Sequence, residues 1–334
     1  MKAMVLHEQA DVRENPLQLE EVPDPEPGPG EVRVRVLTCG VCRTDLHIVE
    51  GDLELHRSPI IPGHEVVGEV DALGEGAQRF SSGDRVGVPW VHSTPEDCEF
   101  RRRGMENLCP DARFTGWDVD GGYAEYTVVP EDFAYPVPDG IDDIHAAPLM
   151  CTGMIGYRSL RIAEAQNAPT LGLVGFGASA HIAIQVARHW GCEVYVFSHT
   201  ERHRRFAEQM GATWVGEVGD DPGVKLRSAI LFAPVGELVP PMLKVLERGG
   251  QLVCAGIHMS PIPEFEYDLI YGERVLRSVM NLTREDGEGL MSVAGEIQIE
   301  TTVTGFGLEQ ANEALQKVKE SEISGAAVLE VARE

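Results

Sequence analysis

The chain has 334 residues, of which 54 are acidic and 28 are basic, so its formal net charge is −26. An apolar content of 43% supplies enough material for packed cores and disfavours wholesale disorder. The acidic balance disfavours nucleic-acid and anionic-membrane partners, because most of the surface would repel them. At roughly 150 residues per domain, this length suggests about two domains.

No apolar run in the chain approaches the roughly 18 residues that cross a bilayer. The apolar stretch at residues 3–6 is too short for the core of a secretory signal. We therefore expect a cytoplasmic protein. The seven cysteines are an odd number without a regular framework, which favours metal ligands or free thiols over disulfides.

The first third of the chain is rich in glycine, proline and short β-patterned runs. Residues 31–37 and 66–70 alternate in the manner of half-buried strands. Turn signals, such as the PGPG at 27–30 and the SGD at 82–84, separate such runs. This pattern predicts a small β-barrel or sandwich with long loops.

After about Pro148, strands and helices alternate along the chain. Apolar runs predict strands at 170–176, 193–198, 229–233 and 251–255, and helical spacing predicts helices at 178–190, 201–210 and 238–247. Repeated strand–helix–strand units predict a parallel sheet with right-handed crossovers, and hence an α/β fold.

The last part of the chain returns to β character near Thr301. An amphipathic helix at 308–319 and a final strand at 326–331 follow. We expect this tail to rejoin the N-terminal domain. The predicted domains are therefore 1–151, completed by 283–334, and 152–282.

A glycine-rich loop joins the strand predicted at 170–176 to the helix after it. Gly175 permits a tight turn, and Gly177 lets the backbone approach a pyrophosphate. The helix that opens at Ala178 offers free N–H groups to the phosphates, and Ala180 is a small residue where a third glycine often stands. Because the loop lies between a strand and a helix, dinucleotide binding is favoured over an ordinary tight turn.

The end of the next predicted strand bears on the choice of cofactor. NAD sites usually carry an acidic residue there to bind the ribose 2′-hydroxyl. In this chain Ser198, His199 and Thr200 occupy the strand end, with Arg202 nearby, and no acid is present. These groups suit a 2′-phosphate, so NADP is favoured over NAD. The alternative is that they are only the solvated start of a helix.

Two cysteines and one histidine have the composition of a catalytic zinc site. Cys42 lies in the segment CGVCRTDLH, His64 in GHEVVG, and Cys151 in APLMCTG. Two thiolates and one imidazole leave the fourth position of a tetrahedral zinc ion open to a substrate. Each residue alone is equally compatible with an ordinary buried side chain.

Together with GDRVGVPW at 83–90, DGGYAEY at 120–126 and APL at 147–149, these segments resemble the zinc-containing medium-chain alcohol dehydrogenase family. The resemblance runs over essentially the whole chain. It implies a GroES-like β-barrel catalytic domain and a Rossmann-type, doubly wound parallel sheet domain that binds the cofactor. It also implies reversible hydride transfer between an alcohol and a nicotinamide cofactor.

The resemblance implies a role for several residues of the first domain. Cys42, His64 and Cys151 correspond to the ligands of the catalytic zinc. Near the metal, the resemblance implies that the Glu65 carboxylate can approach the ion and that Asp45 orients the histidine ligand. It implies that Thr44 touches the substrate oxygen and that His47 lies at the outer end of a proton relay. Arg43 corresponds to a residue that contacts the pyrophosphate. The alternative for His47 is a plain surface histidine. Cys39 corresponds to a small buried residue.

One segment departs from the pattern of the family members that carry a second, structural zinc. Of the four cysteines in that lobe, only Cys98 and Cys109 remain, and Pro95 and Arg101 occupy the other two places. Neither proline nor arginine can ligate zinc. We therefore expect one zinc ion per chain. Cys98 and Cys109 could form a disulfide on oxidation, but a reduced pair is expected.

The resemblance also implies a substrate pocket beside the metal. The resemblance places Trp90 in the pocket, with Trp117 nearby and Ile155 and Met150 as apolar candidates for the same wall. A bulky indole would narrow the pocket and favour small or unbranched primary alcohols and their aldehydes. Either tryptophan could equally belong to the core.

The sequence therefore predicts a zinc-dependent alcohol dehydrogenase that acts on small primary alcohols and aldehydes, with ketones as a further class. The alternatives are a polyol dehydrogenase, a quinone or enoyl reductase, and a nucleotide-binding protein without turnover. The resemblance also suggests a homo-oligomer, with a tetramer favoured and a dimer as the alternative.

Overall fold

The computed structural model describes residues 1–323 and 325–332. Its contacts divide the chain into two compact units, Met1–Met154 with Asn281–Glu334, and Ile155–Met280. The segment expected to complete the first domain, 283–334, includes residues 324, 333 and 334, which lie outside the described residues.

The strands, in chain order, are β1 (Lys2–Leu6), β2 (Leu17–Glu21), β3 (Glu31–Val41), β4 (Glu65–Leu73), β5 (Arg85–Val88), β6 (Val91–Ser93), β7 (Arg113–Phe114), β8 (Tyr126–Pro130), β9 (Tyr135–Pro136), β10 (Thr170–Val174), β11 (Glu193–Phe197), β12 (Trp214–Gly216), β13 (Leu226–Leu231), β14 (Leu246–Cys254), β15 (Val275–Ser278), β16 (Val303–Gly307) and β17 (Ala326–Glu330).

The α-helices, in chain order, are α1 (Arg43–Glu50), α2 (Glu99–Arg102), α3 (Asp143–Ala146), α4 (Thr152–Ile162), α5 (Ala178–His189), α6 (Glu201–Gln209), α7 (Val239–Val245), α8 (Arg284–Ile297) and α9 (Ala311–Lys319). None of the helices within the described residues is long and apolar enough to span a membrane.

The main sheet of the first unit has the order β16-β17-β3-β4-β5-β9, and β8 also pairs with β3. Alternate residues of β3, beginning with Val32, are buried, so its polar–apolar alternation reflects a strand with one face in the core. The C-terminal strand β17 pairs antiparallel with β3. The tail of the chain therefore lies in the first unit.

The sheet of the second unit is parallel throughout its described strands, with the order β12-β11-β10-β13-β14-β15. The order reverses between β10 and β13, and such a switch point is where open α/β sheets bind ligands at the carboxyl ends of their strands. The glycine-rich loop follows β10, so the fold places it at this point.

Two details differ from the sequence-based expectation. The helix predicted at 238–247 ends at Val245, and the next residue, Leu246, opens β14 opposite Leu226. Leu246 is fully buried there, so its apolar character reflects a strand in the core and not a helix face. The prediction was therefore wrong for the last two residues of this helix. The edge strand β15 and helices α1, α4 and α8 were not predicted.

Candidate metal centre and dinucleotide loop

Four potential metal ligands converge in the first unit. One donor atom from each of Cys42, His64, Glu65 and Cys151 lies within 4.8 Å of all the others. His64 and Glu65 are buried, while the two cysteines are partly exposed. Across residues 1–323 and 325–332, this is the group of histidine, cysteine and acidic side chains that could hold a metal ion.

The pairing of β3 with β4 brings this cluster together. Cys42 follows the last residue of β3, and His64 precedes the first residue of β4, Glu65. Gly40 of β3 lies opposite Glu65. A Cβ atom on Gly40 would lie 1.9 Å from Oε2 of Glu65, so only glycine leaves room for that carboxylate. Cys151 is supplied by the turn that leads into α4.

Asp45 orients two members of the cluster. Its Oδ1 atom lies 2.8 Å from Nδ1 of His64, and its Oδ2 atom accepts a 2.8 Å hydrogen bond from the backbone N–H of Cys42. With Nδ1 engaged, Nε2 of the buried His64 ring has no hydrogen-bond partner among the described residues, and the same is true of Oε1 of Glu65. Buried polar atoms usually have a hydrogen-bond partner, so two such atoms without one, beside two thiols, are suited to bind a metal ion.

The electrostatics of the cluster also suit a cation. The close approach of the two thiols lowers the pKa of Cys42 and raises that of Cys151. Burial, followed by the charge of Cys42, raises the pKa of Glu65. Crowded acidic groups in a buried site hold protons that a bound cation displaces, so zinc binding would release protons here.

The remaining candidates of the first unit lie on α1, next to Cys42. The hydroxyl oxygen of Thr44 is 3.8 Å from Sγ of Cys42. Nδ1 of His47 is 2.7 Å from a carboxylate oxygen of Asp52, a partner that the sequence reasoning missed. The Arg43 guanidinium donates to the carbonyl of Val318 at 3.2 Å, at the end of α9.

A group of stacked rings begins at the buried His64. Trp90 is 4% exposed and meets the His64 imidazole edge-on, with the ring centroids 4.8 Å apart. Trp117 stacks on Trp90 at 5.9 Å, and the sequence reasoning missed two further members, Phe114 and His56, which stack on Trp90 and Trp117, respectively. Trp90 is therefore brought to the cluster, and Trp117 contacts Trp90.

The two apolar candidates for the pocket wall belong to different units. Met150 is fully buried, and a Cβ on Gly87 of β5 would meet its sulfur at 2.0 Å, so its side chain packs against that strand. Ile155 belongs to the second unit, in α4.

The glycine-rich loop of the second unit has the backbone that a dinucleotide requires. Gly175 has a φ of +83°, which favours glycine. At Gly177 a Cβ would meet no atom within 4 Å, so the fold itself does not demand a glycine there. This open space fits a closely approaching pyrophosphate. Helix α5 opens at Ala178, and Ala180 is buried in its first turn.

The end of β11 is arranged partly as expected. Ser198 is buried, and its Oγ lies 3.4 Å from the backbone N–H of Thr200. His199 and Arg202 are exposed. The sequence reasoning missed Arg204, which donates to the carbonyl of Ser198 at 2.6 Å. Arg204 lies seven residues past the end of β11, in the first turn of α6, and a basic residue at that place is the signal that would have identified it.

The lobe around α2 offers few metal ligands. Cys98 and Cys109 are both free thiols. Arg101 instead donates to the carbonyl of Thr94 at 2.9 Å and to Asp132 at 3.1 Å. Pro95 contributes only its backbone carbonyl, which accepts from the N–H of Cys98.

A parallel dinucleotide-binding sheet and a Cys–His–Cys cluster in a β-rich unit define a zinc-dependent dehydrogenase. Residues 28–139 match the alcohol dehydrogenase GroES-like domain, and residues 180–296 match the zinc-binding dehydrogenase domain. The chain belongs to the zinc-containing medium-chain alcohol dehydrogenase family. The predicted fold class, the family and the assignment as an alcohol dehydrogenase are thereby confirmed.

Individual relatives agree with this assignment. A probable alcohol dehydrogenase of Mycobacterium tuberculosis is 48% identical over 94% of this chain and 92% of its own length. The solved structure of a cinnamyl alcohol dehydrogenase from Sorghum bicolor is 28% identical, with a TM-score of 0.88 over 98% of this chain and 97% of that one. An acetophenone reductase from Geotrichum candidum, solved with NAD, is 25% identical, with a TM-score of 0.84 over 99% and 97% of the two chains. The enzyme uses zinc and a nicotinamide cofactor.

Proposed function

We propose that this alcohol dehydrogenase holds a single catalytic zinc through Cys42, His64 and Cys151 and oxidises small primary alcohols reversibly to aldehydes. The observation that carries this proposal is the free Nε2 atom of the buried His64, held among two thiols and the Glu65 carboxylate. A structural histidine in a core would normally have both ring nitrogens paired.

The groups around the cluster would position the reactants and move the proton. A bound zinc ion supplies Lewis acidity, and the nicotinamide supplies or accepts the hydride. Asp45 fixes the ring of His64. The Thr44 hydroxyl, next to Cys42, would accept the alcohol proton as it releases its own into a relay, and His47, held by Asp52, would pass a proton outward at the end of that relay.

The aromatic neighbours of His64 support small substrates. Trp90 and Trp117 are large, mutually stacked rings, and Phe114 packs against Trp90 from the same unit. Stacked rings of this size resist displacement, so they would limit the width of the space beside the cluster. We therefore favour unbranched primary alcohols, their aldehydes and, as a further class, ketones.

The second unit would bind the cofactor, with NADP favoured over NAD. Gly175, Gly177 and the first turn of α5 would hold the pyrophosphate. Ser198, Thr200 and the exposed Arg202 lie where a 2′-phosphate would extend. By analogy with the family, Arg43 of the first unit would also bind the pyrophosphate.

One zinc per chain is supported by the lobe around α2. There the Arg101 guanidinium is engaged with Thr94 and Asp132. A guanidinium is permanently charged and has no lone pair for a metal. Cys98 and Cys109 alone are two donors, whereas a structural zinc site needs four.

An exposed sheet edge supports a homo-oligomer. Strand β15 ends the parallel sheet, and its first residue, Val275, is 45% exposed. Tyr267 and Tyr271, on the preceding segment, are 68% and 66% exposed. An uncovered edge strand beside exposed aromatic rings favours pairing with a second copy of the chain. We propose a dimer through this edge, and a tetramer of two dimers as the favoured state.

The free thiols support the proposed cytoplasmic compartment. All seven cysteines are free, two of them in the metal cluster. Such thiols persist in a reducing environment, which supports a cytoplasmic enzyme.

A spectrophotometric panel tests this function. Purified enzyme is assayed with primary alcohols, aldehydes, ketones, polyols, quinones and enoyl compounds, using both cofactors, before and after chelation and again after zinc is restored. We expect the highest kcat/KM with small aldehydes and NADPH, loss of turnover on chelation, and recovery with zinc. Full activity in the metal-free enzyme would contradict the zinc site. Preference for polyols, for quinones or enoyl compounds, or no turnover at all would each select one of the alternatives.

A further inference from the structure

The loop after α1 is fastened to the segment that carries Trp117. This loop spans residues 51–59 and has no regular secondary structure. The carbonyl of Glu54 in the loop accepts a 2.9 Å hydrogen bond from Nε1 of Trp117, and the Arg57 guanidinium donates to the Asp120 carboxylate at 3.1 Å. The loop therefore holds both the Trp117 side chain and the backbone that follows it.

The loop also supplies a ring to Trp117. The imidazole of His56 stacks on the Trp117 indole, with the ring centroids 4.2 Å apart and the planes inclined by 29°. A series of ring contacts therefore leads from His64 through Trp90 and Trp117 to His56. The His64 side chain is fully buried, whereas that of His56 is 53% exposed. The series thus connects the metal cluster with the surface of the first unit.

A carboxylate fixes the orientation of the His56 ring. Nδ1 of His56 is 2.5 Å from Oδ1 of Asp118, and Oδ2 of Asp118 accepts a 2.8 Å hydrogen bond from the backbone N–H of Phe114. Asp118 is thus tied to its own segment, and it holds the imidazole against the adjacent Trp117. Stacking of this kind stabilises one position of an indole, and an indole without it can adopt other rotamers.

The same loop touches the proposed proton relay. Its second residue, Asp52, has a carboxylate oxygen 2.7 Å from Nδ1 of His47. One short loop therefore contacts both the relay and the series of rings that begins at the metal cluster. A change at His56 would act on the space beside the cluster through Trp117, and it would leave the metal ligands and their hydrogen bonds in place.

We propose that His56 is a positioning residue that sets substrate specificity by holding the Trp117 indole beside the path of the substrate. With the indole held, a narrow aldehyde or alcohol passes and a wide one is excluded. Removal of the His56 ring frees the indole to move, so a wide substrate gains access. This inference rests on the proposed function, because it concerns which substrate reaches the metal site.

A pair of aldehydes of different width tests the inference. Heptanal and cyclohexanecarbaldehyde have the same number of carbon atoms, but the ring makes the second wider. The zinc-loaded enzyme is assayed with each, using its preferred reduced cofactor. In His56→Ala we expect the ratio of kcat/KM for the wide aldehyde to that for the narrow one to rise about tenfold, through a lower KM for the wide aldehyde. His145→Ala is the matched control, because His145 also pairs with an aspartate, Asp142, at 2.6 Å.

Two further variants separate the stacking from the hydrogen bond. His56→Phe keeps a ring that can stack on Trp117 but loses the bond to Asp118. His56→Gln keeps a group that can bond to Asp118 but has no ring. We expect His56→Phe to retain selectivity close to that of the wild type and His56→Gln to resemble His56→Ala, since the ring is what holds the indole.

Fluorescence tests the position of Trp117 without turnover. Acrylamide quenches indoles by collision, so a freed Trp117 should raise the quenching constant of His56→Ala above that of the wild type. Because the chain has four tryptophans, the comparison is repeated in a Trp117→Phe background, where the difference should disappear.

Three results would overturn the inference. The first is an unchanged aldehyde ratio in His56→Ala. The second is unchanged quenching in His56→Ala, or a difference that persists without Trp117. The third is an equal loss of selectivity in His56→Phe and His56→Ala. A wild type that reduces neither aldehyde nor any other in the panel would contradict the proposed function itself, whereas an active enzyme with an unchanged ratio contradicts only the role of His56.

Discussion

Nδ1 of His64 lies 2.8 Å from a carboxylate oxygen of Asp45, and neither side chain is exposed to solvent. The same carboxylate accepts from the backbone N–H of Cys42 and from that of Gly63. One buried aspartate thus fixes the imidazole and the backbone beside one thiol of the proposed zinc site. Such partners orient metal ligands and raise their basicity.

Replacement of this aspartate should weaken zinc binding. In Asp45→Asn the amide oxygen can still accept from the imidazole, but its negative charge is lost. We expect zinc affinity to fall by roughly 10–100-fold, measured by competition with a chromogenic chelator. Asp142→Asn is the matched control, because Asp142 pairs with His145 at 2.6 Å on the surface. Equal zinc loss in both variants would contradict the role given to Asp45.

Loss of a thiol from the cluster should separate catalysis from cofactor binding. We expect Cys42→Ala to lose zinc and turnover while it keeps NADPH affinity, because the dinucleotide loop belongs to the other unit. Fluorescence titration with NADPH measures the second property. Cys39→Ala, a buried cysteine that is not one of the four clustered groups, should retain zinc. Loss of both properties in Cys42→Ala would mean that the variant misfolds.

The sequence located this cluster through local patterns, but not its surroundings. The position of Cys42 after an alternating strand and of His64 before another is visible in the sequence, and the pairing of the strands brings the two together. The contact of Asp52 with His47 depends on the turn after α1, and that of Phe114 with Trp90 depends on the pairing of the short strands β6 and β7. Nothing in the spacing of those residues predicts either contact, because turn geometry and the pairing of such short strands depend on tertiary packing.

The two glycines of the dinucleotide loop should respond differently to alanine. At Gly177 a Cβ meets no protein atom, so Gly177→Ala should fold normally but crowd the pyrophosphate. We expect KM for the cofactor to rise by about tenfold or more, with Tm unchanged. The measurements are initial-rate kinetics and a thermal melt.

Gly175→Ala is the contrasting variant. Gly175 has a φ of +83°, and its Cβ would lie 3.1 Å from the backbone nitrogen of Ala233. We expect a loss of stability of about 1–2 kcal/mol, seen as a lower Tm. An unchanged KM in Gly177→Ala, or a destabilised Gly177→Ala, would contradict the cofactor role of that glycine.

Cofactor preference should depend on Arg202. If its guanidinium pairs with a 2′-phosphate, Arg202→Ala should lower kcat/KM about tenfold with NADPH and leave it unchanged with NADH. Arg205→Ala is the control on the same helix, because Arg205 already pairs with Glu201. A wild-type enzyme that uses both cofactors equally, or equal losses in Arg202→Ala with both, would contradict the NADP assignment.

The fold was predictable where the hydrophobic period was strong. The run from Glu31 to Val36 alternates strictly, and the structure extends that strand to Val41. Helix α8 was missed because its three glycines weaken the helical signal. Its start does carry a signal, since Thr283 and Asp286 form a capping box. The edge strand β15 is short and half-exposed, so its composition hardly differs from that of a loop.

Stability should depend on pH through a histidine near the lobe. Burial lowers the pKa of His92 to about 4. Burial keeps the ring neutral in the folded state, where Nε2 lies 3.1 Å from the carbonyl oxygen of Val128 and Nδ1 lies 3.1 Å from the hydroxyl of Ser93. Since the folded pKa lies below the unfolded value of 6.5, the unfolded chain binds the proton more readily. The contribution of His92 is therefore present above pH 6.5 and is lost as the pH falls towards about 4.

The size of this effect can be isolated by mutation. Between pH 7 and pH 5 the wild type should lose about 2 kcal/mol of unfolding free energy that His92→Gln does not lose. Urea denaturation of the zinc-loaded enzyme at a series of pH values measures the free energy of unfolding of both proteins. Subtracting the two values at each pH cancels the contribution of every group that titrates alike in both. His145→Gln, an exposed histidine on the surface, should track the wild type. Identical pH slopes in the wild type and His92→Gln would show that His92 is not held neutral by burial.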